Sequence, residues 1–121
     1  MLNPRIVEGQ LHGATAQGLG GALFEEVVYD ASGQNLSATF MDYAIPAASR
    51  LPSFEVEHLE RPDPNTPLGM KGMAEGGVMG ASAAISNAIA DALAPLGIDA
   101  TRQPFTARRL ADALRSMRLQ P

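Results

Sequence analysis

The first part of the chain has a helical pattern of apolar positions. Between Ile6 and Phe24, the residues Val7, Leu11, Thr15 and Leu19 recur near one face of a helix. Each glycine costs roughly 1 kcal/mol against alanine in a helix interior, so a helix that keeps several needs a physical reason. The usual reason is that another backbone or a ligand must come very close. The glycines concerned are Gly9, Gly13, Gly18, Gly20 and Gly21.

The middle of the chain has the pattern of β-strands. Val27 to Tyr29 and Asn35 to Tyr43 predict a hairpin around the turn Asp30 to Gly33, where Gly33 would take a positive φ. A third strand is predicted from Ser53 to Glu60, because its apolar and polar residues alternate. The residues expected on one face of that strand are Phe54, Val56 and His58, opposite Glu55 and Glu57.

The last half of the chain predicts a loop and two helices. Prolines and glycines make Arg61 to Gly77 a loop. Val78 to Leu93 is a helix with small residues on nearly every face, so we expect it to be buried and tightly packed. Thr106 can cap a last helix, which carries Leu110, Leu114 and Met117 on one stripe.

This order predicts an α+β fold in a single domain, residues 1–121. Its parts are a glycine-rich helix, a small, mainly antiparallel sheet and two C-terminal helices. The chain has no tryptophan, four phenylalanines and two tyrosines, so the aromatic contribution to its core is small. At 121 residues the margin of stability is then thin, and we expect dependence on a partner or self-association into a homo-oligomer.

Charge and cysteine content exclude several classes of function. The net charge of −4 argues against a nucleic-acid-binding surface. The absence of cysteine excludes disulfides, thiolate metal sites and a cysteine-ligated iron–sulfur cluster in this sequence. No signal peptide and no apolar run of about 20 residues is visible, so we expect no membrane association and a cytoplasmic location.

Most standard chemical motifs are missing. The stretch Gly18 to Leu23 lacks the third glycine of a dinucleotide fingerprint, and His12 and His58 have no metal-ligand spacing, so both are interpreted as structural. Two candidates remain, Gln17 and Glu75. Gln17 is either a solvated or capping amide or a ligand contact. Glu75 precedes an alanine-rich helix, where it either caps the helix or acts as a catalytic carboxylate.

Three stretches of the sequence resemble one known family. They are "NPRIVEGQLHGATAQGLGGALFEE", "DYAIPAASRLPSFEVEHLE" and "NTPLGMKGMAEGGVMGASAAISNAIADAL". In this order they resemble the C-terminal end of the molybdenum-binding subunit of the xanthine dehydrogenase family. That family includes aldehyde oxidoreductases and the large subunit of aerobic carbon monoxide dehydrogenase. The resemblance implies that residues 1–121 are the C-terminal part of a larger molybdopterin-binding domain.

The resemblance also implies site residues. In this family a glutamate in a KGxGE motif activates a metal-bound hydroxide, and the motif reads "KGMAE" here, from Lys71 to Glu75, with Ala74 in place of a glycine. Glu75 is therefore the expected general base. The expected contacts to the molybdenum–molybdopterin cofactor are Gln17, Gly18, Lys71 and Gly72, and no metal ligand is expected from this chain.

The remaining cofactor-binding loops of the family are absent from this sequence. The leading hypothesis is a segment of a molybdenum hydroxylase, with no cofactor and no activity when isolated. Its expected partners are the rest of the molybdenum-binding subunit and the iron–sulfur and flavin subunits. The alternatives are a non-catalytic remnant or protein-binding module of the same fold, and a domain that binds a small ligand in a glycine-lined cleft. The substrate pocket would be built largely by the missing part.

Overall fold

The computed structural model describes residues 1–118 and contains three α-helices in that range. They are α1 (Pro4–Leu23), α2 (Gly76–Leu93) and α3 (Ala107–Arg118). Short 3₁₀ turns lie at Ala48–Arg50, Pro67–Gly69 and Ala94–Leu96. The predicted helices are therefore present, and α1 and α2 each begin two residues earlier than expected. At the start of α1, Asn3 accepts a hydrogen bond from the Ile6 amide at 3.2 Å, and Pro4 occupies the first turn.

Helices α1 and α2 lie side by side and run in the same direction. A Cβ placed on Gly18 would lie 2.5 Å from the Cβ of Ala81, and one on Gly77 would lie 3.0 Å from the Cβ of Ala14. The Ser82 hydroxyl donates a hydrogen bond to the Gly18 carbonyl at 3.2 Å. Glycine on either side of the contact thus brings the two backbones closer than side chains would permit.

The buried centre of the described structure lies where the C-terminal segment returns to α1. The Phe105 amide donates a hydrogen bond to the Ala22 carbonyl at 2.7 Å. Ala22 is fully buried and Phe105 is 5% exposed, and they are the buried hydrophobic residues of the described chain. Thr106 accepts a hydrogen bond from the Arg109 amide at 3.3 Å, so the predicted cap of α3 is confirmed.

The predicted sheet is not confirmed. The turn forms as expected: Gly33 has a φ of 84°, and Tyr29 and Asn35 form one antiparallel bridge. The Asp30 carboxylate accepts hydrogen bonds from Ser32 and Gln34, and the bond from the Ser32 side chain is the main reason that the pKa of Asp30 is lowered. Beyond this bridge, residues 1–118 contain no strand, because a lone two-stranded hairpin is marginal without a third strand to pair with it.

The structure corrects the expectation that the second helix is buried. Along α2 no residue is buried, and Met79 on its outer side is 81% exposed. The accessible surface of the chain is 9333 Å². A compact monomer of its mass, 12.7 kDa, would expose about 6,200 Å². The excess supports the expectation that the fold depends on a partner.

Within the described residues, one segment has the length and composition of a membrane span. It is Gly76–Leu96, which consists of α2 and the turn that follows it. A single helix of this kind is weak evidence for a membrane, because helices in the cores of large proteins pass the same test. Its close packing on α1 accounts for the small residues on its inner side.

The glycines of α1 should differ in their response to alanine. Gly18→Ala should lower the free energy of unfolding by about 1–3 kcal/mol, because its methyl group collides with Ala81. Gly13→Ala is the matched control: nothing lies within 4 Å of its added Cβ, so it should stabilise the helix by about 0.4–1 kcal/mol. Denaturant unfolding followed by circular dichroism measures both, and equal effects would contradict the packing described.

The hydrogen bond from the Tyr43 hydroxyl to Glu25, 2.6 Å long, should make stability depend on alkaline pH. This bond favours the neutral phenol and raises the pKa of Tyr43 above its usual value of 10.0. The stabilisation is therefore complete below that usual value and is lost as the pH rises through the raised pKa. Absorbance titration of the Tyr29→Phe variant, in which Tyr43 is the remaining tyrosine, should give the raised pKa, and Glu25→Gln should lower it. An unchanged titration in Glu25→Gln would refute the assignment.

Candidate functional site

The loop before α2 is organised by its own hydrogen bonds. Thr66 donates from its hydroxyl to the Met70 carbonyl at 2.8 Å, and the Asp63 amide donates to the Gly69 carbonyl at 3.2 Å. Leu68 and Gly69 both have positive φ, 58° and 67°. A Cβ on Gly69 would lie 2.6 Å from the Cβ of Pro62, so both the turn and the close approach favour glycine there.

The loop is also attached to α1. Gln10 donates a hydrogen bond from its side-chain amide to the Ala74 carbonyl at 3.3 Å. Gly77, three residues further on, contacts Leu11 and Ala14 of the same helix. The KGMAE loop therefore lies against the first half of α1. Gln10 is a site residue that the sequence analysis missed, although its spacing of seven residues from Gln17 places both amides on one helix face.

Glu75 is the residue immediately before α2, as predicted. Its side chain makes no capping hydrogen bond to the helix within the described structure, although its carbonyl accepts a hydrogen bond from the Val78 amide at 3.1 Å. The side chain is exposed. The carboxylate thus lies at the positive end of the helix dipole without being used as a cap, and it is open to a ligand.

Gln17 lies on an open face of α1. Its side chain is exposed, and a Cβ on Gly13 or Gly21, four residues to either side, would meet nothing within 4 Å. Gln10 lies on the same face, about 10.5 Å nearer the start of the helix. Gln10 is hydrogen-bonded to Ala74, the residue before Glu75, so the KGMAE loop and Gln17 both border this helix face. Between Gln10 and Gln17 the face carries almost no side chains.

The other predicted contacts are placed differently. Lys71 and Gly72 are exposed in the loop, and no atom lies within 4 Å of a Cβ on Gly72. Gly18 is buried against α2, and its carbonyl is bonded to Ser82. Close packing on Ala81 therefore explains why residue 18 is a glycine. The contact of Gly18 with a cofactor stays a prediction.

Ala74 fits its position without strain. Among the described residues, Leu68 is the non-glycine residue with a positive φ, so Ala74 has an ordinary backbone conformation. The replacement of the second glycine of the motif therefore does not require a disfavoured φ.

The histidines do not build a metal site. The buried Nε2 of His12 has no hydrogen-bond partner among the described residues, and its ring centroid lies 5.6 Å from that of Phe54. His58 is exposed. Residues 1–118 contain no group of three histidine, cysteine, aspartate or glutamate side chains able to hold a metal.

Comparisons with known proteins show a clear similarity to molybdenum-binding subunits. A family profile described as a molybdopterin cofactor-binding domain matches residues 1–52. The large subunit of nicotine 6-hydroxylase from Paenarthrobacter nicotinovorans is 40% identical over 117 residues, which are 97% of this chain and 14% of that subunit. The molybdenum-binding subunit of xanthine dehydrogenase from Escherichia coli O157:H7 is 37% identical over 111 residues, 91% of this chain and 14% of that subunit.

A solved structure has the same fold. The chain superposes on the crystal structure of a Cu,Mo-containing CO dehydrogenase in its carbon monoxide reduced state, with a TM-score of 0.91 and 35% identity. The match covers 100% of this chain and 15% of that one. The chain thus spans 14–15% of the length of the proteins it matches.

The bond between Gln10 and the loop predicts a local effect on hydrogen exchange. Gln10→Ala should release the Ala74 carbonyl and make the amides of residues 70–76 exchange about two- to tenfold faster, which is the effect of losing one hydrogen bond. Gln17→Ala is the matched control, since it removes an exposed amide from the same helix face. Hydrogen exchange followed by mass spectrometry measures both variants. Equal rates in the two variants would show that the bond does not hold the loop.

Proposed function

Because the chain is homologous to one segment of the molybdenum-binding subunits of the xanthine dehydrogenase and carbon monoxide dehydrogenase family, we propose that it forms part of a molybdenum hydroxylase site. In this proposal the chain contributes Glu75 and Gln17, and the rest of the molybdenum-binding subunit completes the site. The observation that carries the proposal is the attachment of the KGMAE loop to the helix face that presents Gln17.

The residues present fit a large cofactor. Gly13 and Gly21 leave the surface around Gln17 free of side chains, and Lys71 and Gly72 are exposed nearby in sequence to Glu75. Gln17 would donate from its side-chain amide to an oxygen or nitrogen acceptor of the pterin, and Lys71 would balance negative charge. When bound, the molybdenum–molybdopterin group would supply the two-electron redox chemistry of substrate hydroxylation.

Glu75 is proposed as the general base. Its carboxylate is exposed, makes no capping bond and lies at the start of α2, where the helix dipole favours negative charge. A carboxylate in this position can accept a proton from the oxygen that attacks the substrate. The hydrogen bonds of the loop, the bond from Gln10 to Ala74 and the packing of Gly77 on Ala14 support the backbone that carries it.

We expect the isolated chain to be inactive, because Gln17 and Glu75 are exposed and the rest of the proposed site would come from the remainder of the subunit. The proposed partners are the rest of the molybdenum-binding subunit and, through it, iron–sulfur and flavin subunits. The proposed location is the cytoplasm.

Replacement of Glu75 tests the proposal in an assembled enzyme. We propose a chimera in which this sequence replaces the matching segment of the large subunit of nicotine 6-hydroxylase, with nicotine hydroxylation as the assay. Glu75→Gln should lower kcat by about 10²- to 10⁴-fold, the usual contribution of a general base. Its thermal unfolding midpoint should stay close to that of the parent chimera, because the side chain makes no capping bond.

Asp91→Asn is the matched control, because it removes an exposed carboxylate from the other end of α2. It should leave kcat unchanged. Unaltered turnover in Glu75→Gln would exclude a role as base, and a loss of stability with normal turnover would favour the alternative in which Glu75 serves the helix alone.

A further inference from the structure

The segment Ser53–Glu60 lies on α1 and has no regular secondary structure. Its side chains alternate over the first five positions: Phe54 and Val56 are partly buried, whereas Ser53, Glu55 and Glu57 are exposed. This alternation is that of an extended backbone with one face on the protein. Phe54 contacts the ring of His12, so the buried face of the segment lies on α1.

The two ends of the segment show that it is extended. Phe54 lies beside His12, and Glu60 forms an ion pair with the amino group of Met1 at 2.6 Å. The distance along the helix axis from His12 to Pro4, the first residue of α1, is about 12 Å, and Met1 precedes Pro4 in the chain. Six residues reach about 20 Å when extended but only about 9 Å as a helix. The segment therefore runs beside α1 in the opposite direction as an extended chain, which is a strand without a pairing partner.

This strand has no partner among residues 1–118. No backbone-to-backbone hydrogen bond involves residues 53–60 in the described chain. Both of its edges thus present unpaired N–H and C=O groups, which is the arrangement that accepts an added strand. Next to them, Leu59 is 94% exposed. An apolar side chain on an unpaired strand is expected where another polypeptide covers it.

We propose that Ser53–Glu60 is a docking strand that pairs with an extended segment from the remainder of the molybdenum-binding subunit. The inference rests on the proposed function. The occupant follows from the comparison: the chain superposes over its full length on 15% of a larger chain, so its fold occurs within a polypeptide that has the remainder to supply a strand. The hydrophobic surface on Leu59 and the two open edges specify a strand with at least one apolar side chain.

Hydrogen exchange in the nicotine 6-hydroxylase chimera tests the docking strand. Amides of residues 54–60 should exchange at nearly unprotected rates in the isolated chain and at least about tenfold more slowly in the chimera. Amides within α1 and α2 report whether the segment has folded in each case.

Proline substitutions distinguish strand pairing from simple coverage. Glu57→Pro removes an amide from one edge, and His58→Pro removes one from the other, while both side chains are exposed. Glu57→Ala and His58→Ala are the matched controls. At least one proline variant should lower the unfolding midpoint of the chimera more than its alanine control does, whereas neither should affect the isolated chain.

Four results would overturn the inference. A folded chimera whose residues 54–60 exchange as fast as in the isolated chain would exclude pairing, and so would proline variants that match their alanine controls; both leave the proposed function intact. Protection that appears in the isolated chain as its concentration rises would identify a second copy as the occupant. A chimera in which α1 and α2 stay unprotected would instead refute the proposed function, and the docking strand with it.

Discussion

The close contact between α1 and α2 is the constraint on which the rest of this structure depends. It exists because Gly18 faces Ala81 and Gly77 faces Ala14, so two helices meet where side chains of ordinary size would keep them apart. The contact fixes the start of α2 beside the first half of α1. Since the KGMAE loop ends at that start, the packing of Gly18 on Ala81 and of Gly77 on Ala14 places Glu75 beside the first half of α1.

Because the residues at this helix contact are small, the described part of the chain has a small hydrophobic core. Ala22 and Phe105 are its buried hydrophobic residues, while large side chains such as Phe40 and Met41 are 86% and 96% exposed. Helices of glycine and alanine pack closely but bury little area, so the contact orders the backbone without supplying much hydrophobic stabilisation. A fold with so small a core would gain stability from a surface that covers its exposed apolar side chains.

Local signals in the sequence were sufficient for the helices, the Asp30–Gly33 turn and the Thr106 cap, because caps, turns and helical periodicity depend on neighbouring residues. The predicted sheet, in contrast, is not confirmed among residues 1–118, where one antiparallel bridge forms. A strand sequence such as Ser53–Glu60 favours an extended backbone but does not specify a partner, and no residue among 1–118 makes a backbone-to-backbone hydrogen bond with it. The predicted site was limited similarly: Glu75 and Gln17 were identified from motif and resemblance, whereas the bond from Gln10 to Ala74 requires the fold.

The distribution of glycines separates what the fold needs from what a ligand would need. In α1, Ala81 occupies the space beside Gly18, and Glu25 and Pro46 occupy the space beside Gly20, so internal packing explains both glycines. Gly13 and Gly21 face open space, and helix propensity alone disfavours both. The loop shows the same division. Gly69 is required by its positive φ and by its close approach to Pro62. Position 74 accepts alanine because its φ is not positive and its contact with Gln10 is made by the backbone carbonyl. Within α1, Gly9, Gly13 and Gly21 are the glycines that internal packing leaves unexplained, and Gly13 and Gly21 lie four residues to either side of Gln17, where the proposed cofactor would approach the helix backbone.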